Sequence, residues 1–192
     1  MPVMENDALL RTKAMRDLAR RYHTLGFNII PLGEDKRPVK TGVSPNGKPW
    51  RFLWDEWQNI RQSTTDLNRI LQPAWWQDVY GIAGVCGFNG WVCIDFDSRH
   101  KEDASIPPIP HEVALHFLEE LGLPATYPWL VKTPNGGWHI WDRVDSFDSD
   151  KGKLDRLIEN EPTVSHVELR WYGHYVALPG SHHQRGNYEF SL

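Results

Sequence analysis

Two acidic residues lie at the end of an apolar run, Val92 to Asp97, whose composition is typical of a buried strand. Asp95 and Asp97 are two positions apart, and side chains at i and i+2 project from the same face of a strand. Adjacent carboxylates repel each other unless a cation lies between them, and hard oxygen ligands suit Mg²⁺ or Mn²⁺. The pair therefore indicates a metal-binding strand end; the alternative is a solvated strand end or a turn cap.

A third acid, Glu168, lies in a second strand-like segment, where it alternates with apolar neighbours. Glu168 and Arg170 therefore share one side of that strand. Taken alone, this pair is typical of an exposed salt bridge. Placed beside Asp95 and Asp97, Glu168 would complete a three-carboxylate site. Three acids can hold two divalent ions, the arrangement used for in-line phosphoryl transfer.

Two further loops contain residue types that contact phosphates. Gly136 and Gly137 lie in a turn that could bring backbone N–H groups to an anion, and His139 begins the next strand, from which it could donate to a phosphate oxygen. A plain hairpin with one satisfied histidine is the alternative. The loop 179–188 contains two histidines and an arginine, which could clamp phosphates or a sugar. Its composition is equally typical of a surface loop.

Hydrophobic periodicity and turn signals predict the elements that must position these residues. Helices, some of them partial, are expected over residues 7–25, 50–57, 66–71 (with Thr65 as the cap), 111–121 and 146–160. Strands are expected over residues 27–32, 79–85, 90–96, 129–132, 138–142, 164–171, 174–178 and 187–190. This mixture indicates an α+β fold rather than a parallel Rossmann sheet. No loop has the Walker spacing, which disfavours a P-loop nucleotidase.

Turn residues also predict which strands pair. Asn89-Gly90 between apolar runs predicts a hairpin of residues 79–85 with 90–96. The turn Tyr172-Gly173 predicts a second hairpin of residues 164–171 with 174–178.

Charge and cysteine content narrow the class of protein. The net charge is −4, but residues 1–51 hold 10 Lys and Arg against 5 Asp and Glu, and the remainder holds 11 against 20. A basic part beside an acidic part suits a polyanion surface next to a metal site, although a solvated helix face is the simpler interpretation of charge alone. Cys86 and Cys93 lack neighbours at zinc spacing, so we expect no zinc site and no disulfide framework.

In their order and spacing, these elements resemble the N-terminal primase–polymerase (prim-pol) domain of phage and plasmid replication proteins, within the archaeo-eukaryotic primase superfamily. The resemblance covers most of the chain. It is carried by Tyr22, Gly26, Pro31, Lys36, Pro38, Trp57, Thr65-Asp66, Trp75 or Trp76, Gly81-Ile82, Gly87, Gly90, Ile94 to Asp97, Thr133, Gly136 to His139, Glu168 to Arg170, Gly173 to Val176 and Pro179 to Tyr188.

The resemblance implies a role for each motif. Asp95 and Asp97 look like the first metal-binding motif and Glu168 like the third, while His139 looks like the residue that contacts the nucleotide's phosphates. The positions expected to line the nucleotide pocket are His139, Gly136, Gly137, Arg170, Ser181, His183 and Lys36. The implied enzyme is a DNA-directed nucleotidyltransferase using two Mg²⁺ or Mn²⁺ ions, dNTPs or NTPs, a single-stranded DNA template and a primer.

The implied architecture is one catalytic domain over residues 1–192. A mainly helical part with a basic loop would cover about 1–75, and the catalytic sheet would cover 76–192. The implied fold is an RRM-like catalytic sheet with a second α/β lobe packed on it. Relatives often carry a helicase further along the chain, so a helicase domain or subunit is a possible partner. No signal peptide or membrane span is evident, which gives the cytoplasm as the expected location.

The sequence departs from the family pattern at three places. The third acid is usually Asp, and Glu168 is one methylene longer. Gly137 replaces a common Ser or Thr, and the usual Pro-Pro-Ser is Pro179-Gly180-Ser181.

Two alternative functions stay open: an RRM-like single-strand-binding module that has lost catalysis, and a metal-dependent nuclease. On the polymerase hypothesis, Asp95→Ala or Asp97→Ala should abolish synthesis with the fold intact, and His139→Ala should raise the nucleotide KM.

Overall fold

The computed structural model describes residues 2–39, 61–71, 79–145 and 160–191. Three α-helices lie in these ranges: α1 Pro2–Thr24, α2 Thr64–Ile70 and α3 His111–Glu120. The strands are β1 Ile29–Leu32, β2 Gly81–Val85, β3 Trp91–Ser98, β4 Leu130–Lys132, β5 Trp138–Arg143, β6 Val164–Arg170, β7 Tyr175–Ala177, β8 His182–His183, β9 Gly186–Asn187 and β10 Glu189–Phe190.

The strands form two main sheets. One has five strands in the order β10-β4-β5-β3-β6, and the other has three in the order β1-β2-β7. Every pairing in both sheets is antiparallel, and β8 and β9 form a separate short ribbon. Helices beside antiparallel sheets confirm the predicted α+β class. The longest strand, β3, lies inside the five-stranded sheet between β5 and β6.

One face of the five-stranded sheet is apolar and covered by α3. Phe117 and Leu118, on one side of that helix, pack against Ile94, Phe96 and Ile140 in the sheet. The Phe96 and Phe117 rings stack with their centroids 4.2 Å apart. Because side chains alternate along a strand, burial of Ile94 and Phe96 directs their neighbours in β3 to the opposite face.

A second core joins that opposite face to the three-stranded sheet and to α1. Phe27 is fully buried, stacked on Trp91 at 4.1 Å and edge-on to Trp141 at 5.3 Å. Tyr22 in α1 reaches the other end of the chain, where its hydroxyl donates to the Pro179 carbonyl at 3.0 Å. These contacts cover Cys93 and Trp141 on the polar side of the five-stranded sheet, so only the part of that face beyond them is open.

Both predicted hairpins are wrong. Strand β2 pairs with β1 and β7, whereas β3 pairs with β5 and β6. Likewise β6 pairs with β3, and β7 pairs with β2. The turn residues do reverse the chain, since Asn89 has a φ of 54° and Gly173 a φ of 81°. In each case, however, the chain crosses from one sheet to the other, because each strand pairs where its apolar residues find a core.

Most other predicted elements are confirmed with shifted ends. Helix α1 begins earlier than expected, and residues 187–190 divide between β9 and β10. Helix α2 is capped by Ser63 rather than Thr65: the Ser63 hydroxyl accepts from the Asp66 N–H at 3.1 Å, and the Asp66 carboxylate accepts from the Ser63 N–H at 3.0 Å. The predicted helix at 50–57 and residues 146–159 lie outside the described residues.

Helix α1 is the longest helix described, at 23 residues. Charged residues recur along it, and its last turn contains Arg21 and His23. In the ranges that the structure describes, neither this helix nor any other is long and apolar enough to cross a membrane.

Candidate active site

The open face of the five-stranded sheet brings together acids from two strands that are distant in sequence. In the strand register, Asp95 on β3 lies opposite His139 on β5 and opposite Glu168 on β6. Asp97 lies opposite His166 on β6. Directly opposed residues in antiparallel strands project from the same face. The expected approach of Glu168 to the two aspartates is therefore present in the sheet.

Asp97, His166 and Glu168 form a compact group of possible metal ligands. One ligand atom from each of the three lies within 4.8 Å of the other two. The His166 Nε2 is 3.2 Å from an Asp97 oxygen and 3.5 Å from a Glu168 oxygen. Two carboxylates and an imidazole at this spacing fit a divalent cation. His166 was not predicted, although its place two residues before Glu168 puts it on the same face.

Asp95 lies beside this group, and its carboxylate contacts a histidine and an arginine. One oxygen is 3.4 Å from the His139 Nε2, and the other is 3.4 Å from the Arg170 guanidinium. Burial alone would raise the pKa of Asp95, but the charges and hydrogen bonds of His139 and Arg170 outweigh it and lower the pKa to about 2. Arg170 also contacts Glu168 directly. Asp95 is thus ionised and links the acidic group to its basic neighbours.

A cleft of about 450 Å³ opens over this part of the sheet. Its size lies in the range of small-molecule sites. Its walls carry both signs of charge, which suits an anionic ligand accompanied by a cation. The lining residues include Asp95, Asp97, Lys36, Lys101, Arg170, His139, Asn135, His174 and Tyr188.

The basic side chains of the cleft come from separate parts of the chain. Lys36, from the loop after β1, lies with its Nζ 5.3 Å from the centre of the Tyr188 ring. Burial and, secondarily, the nearby charge of Lys101 lower the pKa of Lys36. Lys101 follows β3 and lies 3.7 Å from an Asp97 oxygen. Lys36 therefore lines the cleft together with Lys101, which was not predicted.

One ring nitrogen of His139 is buried. Its side chain is 6% exposed, and its Nδ1 makes no hydrogen bond within the described residues. Leaving such a group unsatisfied costs about 1–3 kcal/mol, which points to a water or ligand partner. The His139 ring lies 5.4 Å from Tyr188, which belongs to the loop 179–188 but was not predicted individually. Burial, with Asp95 and Asp97 nearby, raises the pKa of Tyr188, so its hydroxyl stays neutral.

The glycine turn before β5 has a different role from the predicted one. The Gly136 N–H donates to the Thr133 carbonyl at 3.0 Å, and the Gly137 N–H donates to the Thr133 hydroxyl at 3.1 Å. Both amides are therefore used inside the turn rather than presented to an anion. A Cβ added to Gly137 would overlap the Phe96 carbonyl oxygen, so this glycine allows the turn to pack against β3.

Gly137→Ala is expected to lower the free energy of unfolding by about 2 kcal/mol, because the added methyl group forces the Phe96 backbone to shift. Urea unfolding followed by tryptophan fluorescence measures this loss. Gly173→Ala is the matched control: it has open space around it and a φ of 81°, so it meets only backbone strain of about 1 kcal/mol. An equal loss in both variants would contradict the packing role.

Ser181 and His183 were also predicted to line the pocket. The Ser181 hydroxyl is buried, accepting from the Ile82 N–H and donating to the Ile82 carbonyl, both at 2.9 Å. It fixes the last loop to β2 and is not among the cleft-lining residues described, which corrects its predicted role. His183 lies half-buried in the same loop and is likewise not among the cleft-lining residues described. Burial and, next, the charge of Lys36 lower its pKa.

Comparison with known proteins identifies the family of the chain. The family model described as "Bifunctional DNA primase/polymerase, N-terminal" matches residues 19–191, nearly the whole chain. No curated protein matches the chain. The matched family consists of nucleotidyltransferase-type enzymes, and the match implies a function of the DNA primase or polymerase type, with DNA and nucleotides as expected ligands. The chain belongs to the bifunctional DNA primase/polymerase (prim-pol) N-terminal family.

Proposed function

We propose that the chain is a single catalytic domain that adds (d)NTPs to a DNA strand on a DNA template by two-metal nucleotidyl transfer, in replication of the phage or plasmid type. The observation that carries the proposal is the group Asp97, His166 and Glu168, which lies beside a cleft rich in basic side chains. Ligands for divalent ions and cations for a triphosphate are the two requirements of phosphoryl transfer.

The metal ions would be held by Asp97, Glu168 and His166, with Asp95 beside them. When bound, they would lower the pKa of the attacking 3′-hydroxyl and offset the negative charge of the phosphates. His139 and Lys36 both line the cleft, where they would contact the phosphates of the nucleotide.

The donor set also bears on which ion is preferred. Mg²⁺ prefers oxygen ligands, whereas imidazole nitrogen suits transition metals. Inclusion of His166 beside Asp97 and Glu168 therefore supports Mn²⁺ over Mg²⁺. We expect His166→Ala to reduce the Mn²⁺-supported rate more than the Mg²⁺-supported rate.

The proposal is tested by incubating the protein with a primed or an unprimed template, each nucleotide set separately, and Mg²⁺ or Mn²⁺. Lengthening of the primer supports a polymerase, and new oligomers on the unprimed template support a primase. Shortening of the DNA would indicate a nuclease instead. Binding of DNA without either product would indicate a module that has lost catalysis.

Tyr188 is expected to position the two groups that bind phosphate, because its ring contacts both His139 and Lys36. Tyr188→Leu removes the ring and should raise the nucleotide KM about twofold to tenfold, the factor that corresponds to a cation–π contact, with kcat changed less. Tyr188→Phe keeps the ring and should restore the KM. Steady-state primer extension below the melting temperature of each variant measures both constants; an unchanged KM in Tyr188→Leu would remove this role.

A further inference from the structure

An aromatic surface with one basic side chain lies outside the cleft, at the connection between β6 and β7. We call it the Tyr172 surface, and it consists of Trp171, Tyr172 and Arg143. The Tyr172 side chain is 57% exposed, an unusual exposure for a large aromatic residue. Its ring meets that of Trp171 edge-on, with centroids 4.8 Å apart. Single exposed aromatics are common, but a rigid pair beside an arginine is characteristic of binding surfaces.

Neighbouring residues hold Tyr172 and Arg143 of the Tyr172 surface in place. The Tyr172 ring lies against Gly87, where an added Cβ would come within 2.7 Å of it. The Arg143 guanidinium donates to the Asn89 carbonyl at 2.9 Å and to the Asn89 side-chain oxygen at 2.7 Å. Together with Asp145 they border a concavity of about 190 Å³. A ligand would therefore meet a preorganised surface with little ordering of side chains.

The Tyr172 surface adjoins the candidate active site along the chain. Trp171 directly follows Arg170, and the next two residues after Tyr172, Gly173 and His174, line the cleft. Consecutive Cα atoms are about 3.8 Å apart, so Tyr172 lies within about 8 Å of the cleft-lining His174. A template strand paired with an incoming nucleotide in the cleft would therefore reach this surface within a few nucleotides.

We propose that the Tyr172 surface binds the single-stranded template beside the cleft, with a base stacked on Tyr172 and a phosphate at Arg143. This inference rests on the proposed polymerase function, which supplies the template. Stacking on an aromatic ring tolerates every base, as a template-directed enzyme requires. An unpaired strand is favoured over duplex because only unstacked bases expose a face to the ring.

Binding of a fluorescein-labelled 20-nucleotide oligothymidylate, measured by anisotropy without nucleotides or metal, tests the proposal. Tyr172→Ala should weaken binding about tenfold, and Tyr172→Trp should retain it. Arg143→Gln should also weaken binding and reduce the slope of log K against log salt by about 1. Phe190→Ala is the matched control, since Phe190 is 44% exposed and lies in β10 at the opposite edge of the five-stranded sheet. It should leave the affinity unchanged.

Unchanged affinity in Tyr172→Ala, equal losses in Tyr172→Ala and Phe190→Ala, or no binding by the unaltered protein would each overturn the proposal. An equal loss of affinity for duplex DNA would overturn the single-strand assignment. Primer extension by the unaltered protein separates the two claims. If the protein extends primers but Tyr172→Ala binds DNA normally, the polymerase function stands and the binding role of the Tyr172 surface is wrong. If Tyr172→Ala weakens DNA binding but the protein extends no primer, the binding role stands and the polymerase function is wrong.

Discussion

Asp97→Asn is expected to lower the rate of nucleotide incorporation at least about a hundredfold while the melting temperature changes little. A bound metal ion contributes several kcal/mol to stabilising charge in phosphoryl transfer, and each 1.36 kcal/mol is tenfold in rate. Asp97 is a member of the only group of possible metal ligands found among the described residues. Its side chain is 21% exposed and contacts His166 and Lys101, so the amide can replace it without leaving a buried charge.

Single-turnover primer extension with saturating Mn²⁺ measures the effect, and Glu168→Gln should behave in the same way. Asp17→Asn is the matched control, because Asp17 is an exposed acid on α1 paired with Arg20 at 2.8 Å. It removes the same charge far along the chain from the site and should leave the rate unchanged. A rate for Asp97→Asn within threefold of the unaltered protein would contradict the assignment of Asp97 to the metal site.

Asp95→Ala is expected to lower the free energy of unfolding by about 3 kcal/mol in addition to its effect on activity. The side chain is only 15% exposed, and its removal leaves His139 and Arg170 facing each other without the carboxylate between them. Breaking a buried pair by removing one partner costs about 3–5 kcal/mol, and the remaining contact of Arg170 with Glu168 places the value at the lower end.

Urea unfolding in EDTA at pH 7 measures the loss, with Asp17→Ala as the exposed control. The folded pKa of Asp95 is about 2, below its ordinary value of 3.8. The stability from this carboxylate is therefore present above about pH 4 and disappears as the pH falls through 2. The difference in free energy of unfolding between the unaltered protein and Asp95→Ala should therefore shrink as the pH falls from about 4 to about 2. If Asp95→Ala loses no more free energy of unfolding at pH 7 than Asp17→Ala does, the contacts of Asp95 with His139 and Arg170 contribute nothing to stability.

Much of the site could be predicted because it follows from alternation within single strands. Asp95 and Asp97 on β3 and Glu168 on β6 share a face for this reason, and the order of motifs along the chain connected the two strands. The same alternation could have identified His166. Lys36 lies in the cleft as expected, although its loop shows no periodicity that would have placed it there.

The errors share one physical cause, which is that contacts distant in sequence decide between local alternatives. A turn such as Asn89-Gly90 reverses the chain in a hairpin and between sheets alike. In the sequence, Ser181 is typical of an exposed loop residue, but its hydroxyl forms a hydrogen bond with the Ile82 backbone, 99 residues away. In the sequence, Gly137 is typical of a phosphate-binding turn, whereas in the structure the nearby Phe96 carbonyl leaves no room for a Cβ at this position. Tyr188 carries no local signal of its contact with His139.

Anomalous diffraction from crystals soaked in Mn²⁺ locates the ion without reference to activity. We expect a peak bonded to the carboxylates of Asp97 and Glu168, with His166 as a neighbouring ligand, and loss of that peak in Asp97→Asn. An empty position between these side chains at saturating Mn²⁺, or ions bound only elsewhere on the protein, would contradict it.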